Sequence, residues 1–263
     1  MQSLDYLAHL ERESARFLAA VQAAAPDAEV PTCPDWTADD LLWHLAEVQW
    51  FWGEIVRTGV QDPETVEEPA RPDDREGLEE FYRASSSGLL AALAAAEPED
   101  PAWTWSDDRT VGFVRRRQAH EALVHRLDAE LTAGTRTPLD PLLACDGVDE
   151  ALRVMFSGVP EWATWVPDAG GPLRVDVTDM PHTWLVTPGR FRGTSPVSGT
   201  EYDDPTLEVA ATDDGREVAA TISGTAADVD CALWNRPPVG TVTRTVDAAV
   251  LAAFDAVVSE GVQ

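Results

Sequence analysis

Two of the five histidines in this 263-residue chain stand in sequence contexts that suit metal binding. Glu121 and His125 are four positions apart in HEALVHRLD, so on a helix their side chains lie about 40° apart on one face. His120 is a poor partner, because five helical positions turn it about 140° away from His125. We therefore expect a metal ion to contact Glu121 and His125, and not His120.

His44 is the third candidate ligand. It lies on the stripe of a second helix that should enter the core, together with Leu41, Leu45, Val48, Trp52 and Ile55. A polar ring buried there needs a partner, and packing of the two helices would bring it to Glu121 and His125. Two imidazoles and one carboxylate can hold a divalent ion and leave one position for water or substrate. The alternative is structural: His44 as an ordinary core histidine, and Glu121 as the ion-pair partner of Arg117.

Three further features are weaker candidates for chemistry. Asp128 follows His125 by three positions, so it could orient that ring as a catalytic carboxylate or be an exposed helix acid. The cluster 115–117 holds three arginines, which we expect to form mostly surface ion pairs. Cys33 could be a nucleophile, but without a histidine nearby in sequence a buried, inert thiol is favoured.

Several aromatic residues lie in the second helix or just before it. Four of the ten tryptophans lie in or just before it: Trp36, Trp43, Trp50 and Trp52. Large aromatic side chains at helical spacing pack into cores more often than they form a platform for a ligand. We therefore expect them to belong to the core.

The composition excludes several classes of protein. All 19 basic residues are arginine, so enzymes that form a Schiff base on lysine and phosphate loops that need a lysine are ruled out. The 47 acidic residues give a net charge of −28, which would repel nucleic acid. Three scattered cysteines indicate a reduced protein. We see neither a secretion signal nor an 18-residue apolar run, so we expect a cytoplasmic protein that does not contact membranes.

The first part of the chain has the pattern of four long helices. Apolar periodicity predicts them at about 4–25, 37–59, 74–97 and 111–133, with a Pro- and Glu-rich connection in the middle. Thr37 is the expected N-cap of the second helix, with Asp39 and Asp40 in its first turn. Four helices of this length predict a four-helix bundle.

In the second part of the chain, the spacing of the apolar residues changes from helical to alternating. A shorter helix is predicted over 147–158, after breaks at Pro138 and Pro141. From about residue 167 four segments alternate like half-buried strands, and two helices close the chain. The predicted organisation is an α domain, 1–165, followed by an α+β domain, 166–263.

These segments resemble the mycothiol-dependent maleylpyruvate isomerase family of actinobacteria. VPTCPDWTADDLLWHLAEVQWFW is similar to the family's entry to the second helix, HEALVHRLDAE to its motif on the fourth, and LLACDGVDEAL to the segment before its second domain. ATISGTAADVDCALWNRPP is similar to the strand and helix of that second domain. The resemblance implies a DinB-like four-helix bundle that holds a divalent metal, usually zinc, and a sterol-carrier-like α+β domain.

The resemblance also implies roles for individual residues. The family's His, Glu and His metal ligands fall on His44, Glu121 and His125, and its C-terminal arginine falls on Arg236 in LWNRP. Arg236 could instead cap its own helix. Two acids stand where relatives tend to be apolar, namely Asp228 and Asp230.

The functional expectation is a metal-dependent enzyme with mycothiol as thiol cosubstrate, acting on a small electrophile. A metal-bound thiol is deprotonated near neutral pH and can add to an electrophilic carbon, so either a cis–trans isomerase or an S-transferase fits. The alternatives are a metal-assisted hydrolase and a metal- or small-molecule-binding protein without turnover. We expect a monomer or a small homo-oligomer.

Overall fold

The computed structural model describes residues 4–212 and 215–260. The chain divides into two compact units, Met1–Pro138 and Leu139–Gln263. The first is helical and the second combines helices with one six-stranded sheet. The predicted fold class, an α part followed by an α+β part, is confirmed.

The first unit contains four long helices, α1 (Tyr6–Ala23), α2 (Ala38–Thr58), α3 (Arg75–Ala95) and α4 (Val111–Thr132). α1 packs against α4 and α2 against α3, and α2 also contacts α4. The contact between α2 and α4 brings together the two helices that carry the three candidate metal ligands.

The start of α2 is fixed by a capping box. The Thr37 hydroxyl accepts from the Asp40 backbone N–H at 3.2 Å, and the Asp40 carboxylate accepts from the Thr37 N–H at 2.9 Å. This satisfies donors that the first turn of a helix leaves without partners. α2 ends at Gly59, whose φ of 67° is left-handed and favours glycine.

A short hairpin precedes α2 where the sequence indicated only a loop. Its strands are β1 (Glu29–Val30) and β2 (Cys33–Thr37), joined by a turn at Pro31 and Thr32. Val30 is fully buried in a core cluster that includes Phe17 and Leu41. The hairpin is therefore anchored in the bundle and leads directly into α2.

The second unit begins with α5 (Pro141–Glu150), which continues as a π-helical turn, Ala151–Met155. The predicted break at Pro141 and the predicted start at residue 147 are wrong, because Pro141 occupies the first helical position, where a missing N–H costs nothing. Asp140 is the N-cap and accepts from the backbone N–H groups of Leu142 and Leu143 at 3.0 and 3.1 Å.

Helix α5 packs against α6 (Ala226–Leu233). The segment 139–165 therefore groups with the second unit, whereas the sequence placed it in the first domain. The approach is close, since a Cβ on Gly147 would lie 2.7 Å from a carboxylate oxygen of Asp230.

The sheet is organised around one long strand. Its members are β3 (Ala163–Pro167), β4 (Leu173–Val177), β5 (Thr183–Thr194), β6 (Glu201–Val209), β7 (Ala220–Gly224) and β8 (Thr243–Val246). β5 pairs with β6 along one edge, and with β4 and then β3 along the other. β4 and β7 are parallel, and the remaining pairs are antiparallel. The sequence predicted β4 to β7 but not the edge strands β3 and β8.

Two helices complete this unit, α6 and α7 (Ala248–Glu260). Asp228, an acid at an expected apolar position, serves the start of α6: it accepts from the Thr225 hydroxyl at 2.7 Å and from the N–H groups of Val239 and Gly240. Over the residues the structure covers, no helix has the length and hydropathy to cross a bilayer.

Candidate metal centre

The three predicted ligands come together between α2 and α4. His44 projects from α2, and Glu121 and His125 project from successive turns of α4. One nitrogen or oxygen from each lies within 4.8 Å of the other two. The imidazole centroids are 4.8 Å apart with their planes at 77°, so the rings meet edge to face.

The spacing of these atoms suits a small divalent ion. Glu121 Oε1 lies 3.1 Å from His125 Nε2 and 3.5 Å from His44 Nε2. Ligands bound at about 2.0–2.1 Å in tetrahedral geometry stand about 3.3 Å apart. The donor set, two imidazoles and one carboxylate, also suits zinc and related ions. The residues present therefore fit the metal that the sequence led us to expect.

Arg117 forms an ion pair with the Glu121 oxygen that does not face the histidines. Its guanidinium, on the preceding turn of α4, donates to Glu121 Oε2 at 2.9 Å, and its side chain is 5% exposed. The ion pair and the metal site are thus compatible, because each uses a different carboxylate oxygen. The prediction of a surface pair is wrong for Arg117, which lies on the inward face of α4. Arg115 donates instead to the backbone carbonyls of Leu93 and Ala96.

The pKa values of the two α4 ligands move in opposite directions. Burial alone would raise the pKa of Glu121, but hydrogen bonds from His125 and His44 and the charge of Arg117 hold that pKa well below its usual range. Burial alone would lower the pKa of His125, but Asp128 and Glu121 raise it to about 9. Both shifts favour the charged form of each side chain, and a bound metal would take the place of the proton on Nε2.

Asp128 lies on the other side of His125. Its Oδ2 is 3.0 Å from His125 Nδ1, and its side chain is completely buried. A carboxylate that accepts from Nδ1–H leaves Nε2 free to bind a metal. The Oδ1 atom accepts from the Thr32 hydroxyl at 2.6 Å. Burial excludes the alternative of an exposed helix acid.

The site is most open at His44. The side chains of His44, Glu121 and His125 are 31%, 20% and 10% exposed, so the exposed edge lies on α2. The ring of Trp36 packs against the His44 ring, with the centroids 4.7 Å apart and the planes at 45°. Trp36 therefore lines the site, whereas Trp52 is buried and stacks on Trp103, as expected of a core residue.

The other sequence candidates lie elsewhere. His120 is buried on a different face of α4, where its ring meets that of Tyr6 edge-on. Cys33 is half-buried and packs against the core of the bundle. Arg236 belongs to the second unit, just after α6, and donates to the backbone carbonyl of Trp234 at 2.6 Å.

Thr32 and Trp36 were not predicted to have a place at the site. Both belong to the hairpin that the sequence indicated as a loop, and a threonine in a Pro-bounded turn has no pattern that points to a function. Trp36 carried a weak indication, because it directly precedes the cap of the helix that bears His44.

The fold and the site define a class of protein, in which a four-helix unit with a His–Glu–His centre is followed by an α+β unit. Residues 7–130 match the family model described as the mycothiol maleylpyruvate isomerase N-terminal domain. Residues 7–130 are therefore similar to the N-terminal domain of that family.

Two crystal structures are similar over most of the chain. They are described as the mycothiol-dependent maleylpyruvate isomerase and a histidine-to-alanine mutant of it, with TM-scores of 0.58 and 0.60. In both cases the sequence identity is 14%, and 92% of each chain is covered. At this identity the similarity shows a shared fold. A comparison with curated proteins gave no match.

Proposed function

We propose that this protein is a metal-dependent enzyme that uses mycothiol as a cosubstrate to act on a small electrophile. The observation that carries the proposal is the convergence of His44, Glu121 and His125 in a domain similar to the N-terminal domain of the mycothiol maleylpyruvate isomerase family. The isomerase named in the similar structures makes cis–trans isomerisation the first reaction to test.

A divalent ion, for which zinc is the first choice, would lower the pKa of a bound thiol so that a thiolate exists near neutral pH. The chain's own residues prepare the site for it. Arg117 turns one oxygen of Glu121 away, so that the other faces the histidines. Asp128 holds the Nδ1 proton of His125, and the Trp36 ring packs against the His44 ring.

The proposed reaction is an addition followed by an elimination. The thiolate sulfur forms a bond to one carbon of a cis alkene conjugated to a carbonyl, and the π electrons move to the carbonyl oxygen. The former double bond is now single and rotates. Return of the electrons expels the thiolate and leaves the trans alkene, so the thiol is regenerated. A transferase would protonate the adduct and release it.

Arg236 is proposed to take part from the second unit. The support is its match to the family's C-terminal arginine and the chemistry of its side chain, a planar guanidinium that can bind a carboxylate through two parallel hydrogen bonds. Maleylpyruvate, the substrate named for the similar structures, carries carboxylates.

The test combines metal analysis with turnover. Purified protein is loaded with zinc, freed of excess metal and incubated with mycothiol and maleylpyruvate, and the cis and trans isomers are followed by chromatography. One equivalent of zinc with thiol-dependent isomerisation, both absent in Glu121→Gln, is the expected result. Metal without turnover of maleylpyruvate or other electrophiles would contradict the enzyme and favour a binding protein.

A further inference from the structure

The β1–β2 hairpin touches both helices that carry the metal ligands. At one end, Thr37 is the last residue of β2 and the N-cap of α2, which bears His44. At its turn, the Thr32 hydroxyl donates to Asp128 Oδ1 on α4 at 2.6 Å. One short segment thus connects the helix of the first ligand to the helix of the other two.

Thr32 is held in place by its surroundings. It lies in a two-residue turn between Val30 and Cys33, and the Val30 side chain is fully buried. The backbone N–H of Ala38, at the start of α2, donates to the Ala28 carbonyl at 2.9 Å. These contacts fix the hairpin to α2 and to the core, so the position of the hydroxyl is set by the fold.

The Thr32 hydroxyl contacts the Asp128 carboxylate, which needs hydrogen-bond donors because it is buried. The Asp128 side chain is completely buried, and a buried carboxylate is costly unless donors compensate its charge. Because Thr32 engages Oδ1, the plane of the carboxylate is fixed and Oδ2 is directed at His125 Nδ1. That orientation keeps the Nδ1 proton in place and directs Nε2 toward Glu121.

We propose that the β1–β2 hairpin is a brace for the metal centre and that Thr32 is its positioning residue, acting on His125 through Asp128. The inference rests on the proposed metal function. It goes further in assigning a role to a segment outside the ligand set. Thr32 touches neither the ion nor the substrate in this role, so its effect should appear first in metal affinity.

The primary test compares isosteric substitutions. Thr32→Val keeps the shape and removes the hydroxyl, whereas Thr32→Ser keeps the hydroxyl. Thr58→Val is the matched control, because the Thr58 hydroxyl bonds only the Glu54 carbonyl, on the exposed end of α2. Zinc affinity is measured by competition with a chromophoric chelator. We expect Thr32→Val to bind about tenfold more weakly, the lower end of the effect of residues behind metal ligands. Thr32→Ser and Thr58→Val should bind like the original protein.

A double-mutant cycle tests the route through Asp128. If Thr32 acts only through that carboxylate, Thr32→Val should cause no further loss of zinc affinity in an Asp128→Asn background. Nitrogen-15 NMR of His125 should show the Nδ1–H tautomer in the zinc-loaded protein and in Thr32→Ser, and a mixed or altered signal in Thr32→Val. Circular dichroism confirms that each variant is folded.

The outcomes separate this inference from the proposed function. The brace would be overturned if Thr32→Val left the zinc affinity unchanged. It would also be overturned if Thr32→Val lowered the zinc affinity equally in the original protein and in the Asp128→Asn background. Zinc binding that depends on Thr32 in a protein inert toward mycothiol and electrophiles would support the brace and overturn the enzyme. A protein that binds no zinc at these residues would overturn both.

Discussion

At the scale of single residues, the centre is built from side chains that each serve two partners. Glu121 gives one oxygen to the histidines and the other to Arg117, and Asp128 gives one to His125 and the other to Thr32. Such sharing leaves little rotational freedom in either carboxylate. Removal of one partner should therefore affect the ligands more than the fold.

His125→Ala should remove the metal while leaving the bundle folded. Loss of one of three ligands should weaken zinc binding by more than about 100-fold, beyond the effect of residues behind the ligands, and activity should disappear with the metal. The apolar faces of α2 and α4 remain, so circular dichroism should not change. His182→Ala in the second unit is the control. A His125→Ala protein with a full equivalent of zinc and normal turnover would show that the site is misassigned.

Cys145 should resist alkylation in the folded protein. Its thiol is buried, and burial together with the charges of Asp146 and Asp179 raises its pKa to about 11. The reactive thiolate is therefore scarce at about pH 8. Below the pKa, its fraction rises about tenfold for each unit by which the pH is raised. Iodoacetamide labelling followed by peptide mass mapping checks this, with urea-unfolded protein as the fully labelled control. Rapid labelling of Cys145 at neutral pH would contradict it.

The grouping of the three candidate ligands could be predicted because their relation depends on helical phase. The 100° step placed Glu121 beside His125 and turned His120 away, and the apolar stripe placed His44 inward. Arg117 and Thr32 could not be assigned in this way. Whether an arginine is paired at the surface or beneath a ligand, and whether a turn threonine reaches another helix, depends on contacts between segments distant in the chain.

At the scale of elements, local chemistry decided which predictions were correct. The cap at Thr37 and the glycine at residue 59 gave both ends of α2. The effect of Pro141 is also local, but it depends on position. A proline interrupts a helix in its interior and is favoured in its first turn. The strands β1 and β8 are short, and β3, which is as long as β4, lacks a clear alternation of apolar and polar residues; pairing with other strands defines these three strands more than their own composition does.

Thr37→Ala should destabilise the protein by about 1 kcal/mol, the usual cost of losing an N-cap side chain. Urea unfolding measures it, with Thr65→Ala in the exposed connection before α3 as the control.

The effect of Thr37→Ala should also depend on pH. Hydrogen bonds from Thr37 lower the pKa of Asp40, so their contribution is present at neutral pH and is lost as the pH falls through the lowered value. The difference between Thr37→Ala and the original protein should therefore shrink at acid pH. An equal difference at all pH values would contradict the role of the Asp40 carboxylate.

At the scale of the whole molecule, the dominant property is charge. A net charge of −28 on 263 residues places many carboxylates within range of one another at low ionic strength, where the Debye length is about 30 Å. Their repulsion opposes the compact state.

Salt should therefore raise the melting temperature. Between about 0.01 and 1 M sodium chloride the Debye length falls to about 3 Å, which screens the repulsion. Tetramethylammonium chloride at equal ionic strength should give a similar increase, because screening depends on ionic strength. A melting temperature that falls with both salts would show that specific ion pairs outweigh the net charge.

Arg236→Lys tests whether the second unit contributes to activity. Lysine keeps the charge but cannot form the paired hydrogen bonds of a guanidinium, so turnover should fall while zinc content and melting temperature stay unchanged. Arg244→Lys, at an exposed ion pair with Asp255, is the matched control. Normal kinetics in Arg236→Lys would show that this arginine only caps the end of α6 and has no role in turnover.

The two ligand helices are also distant in the chain, since His44 precedes Glu121 by 77 positions. An ion bound to both joins these positions as a disulfide would, and closing a loop of that length removes about 4–5 kcal/mol of chain entropy from the unfolded state. Unlike a disulfide, this cross-link forms in a reducing environment and is removed by a chelator. The free concentration of the metal would then regulate how much of the chain is topologically constrained.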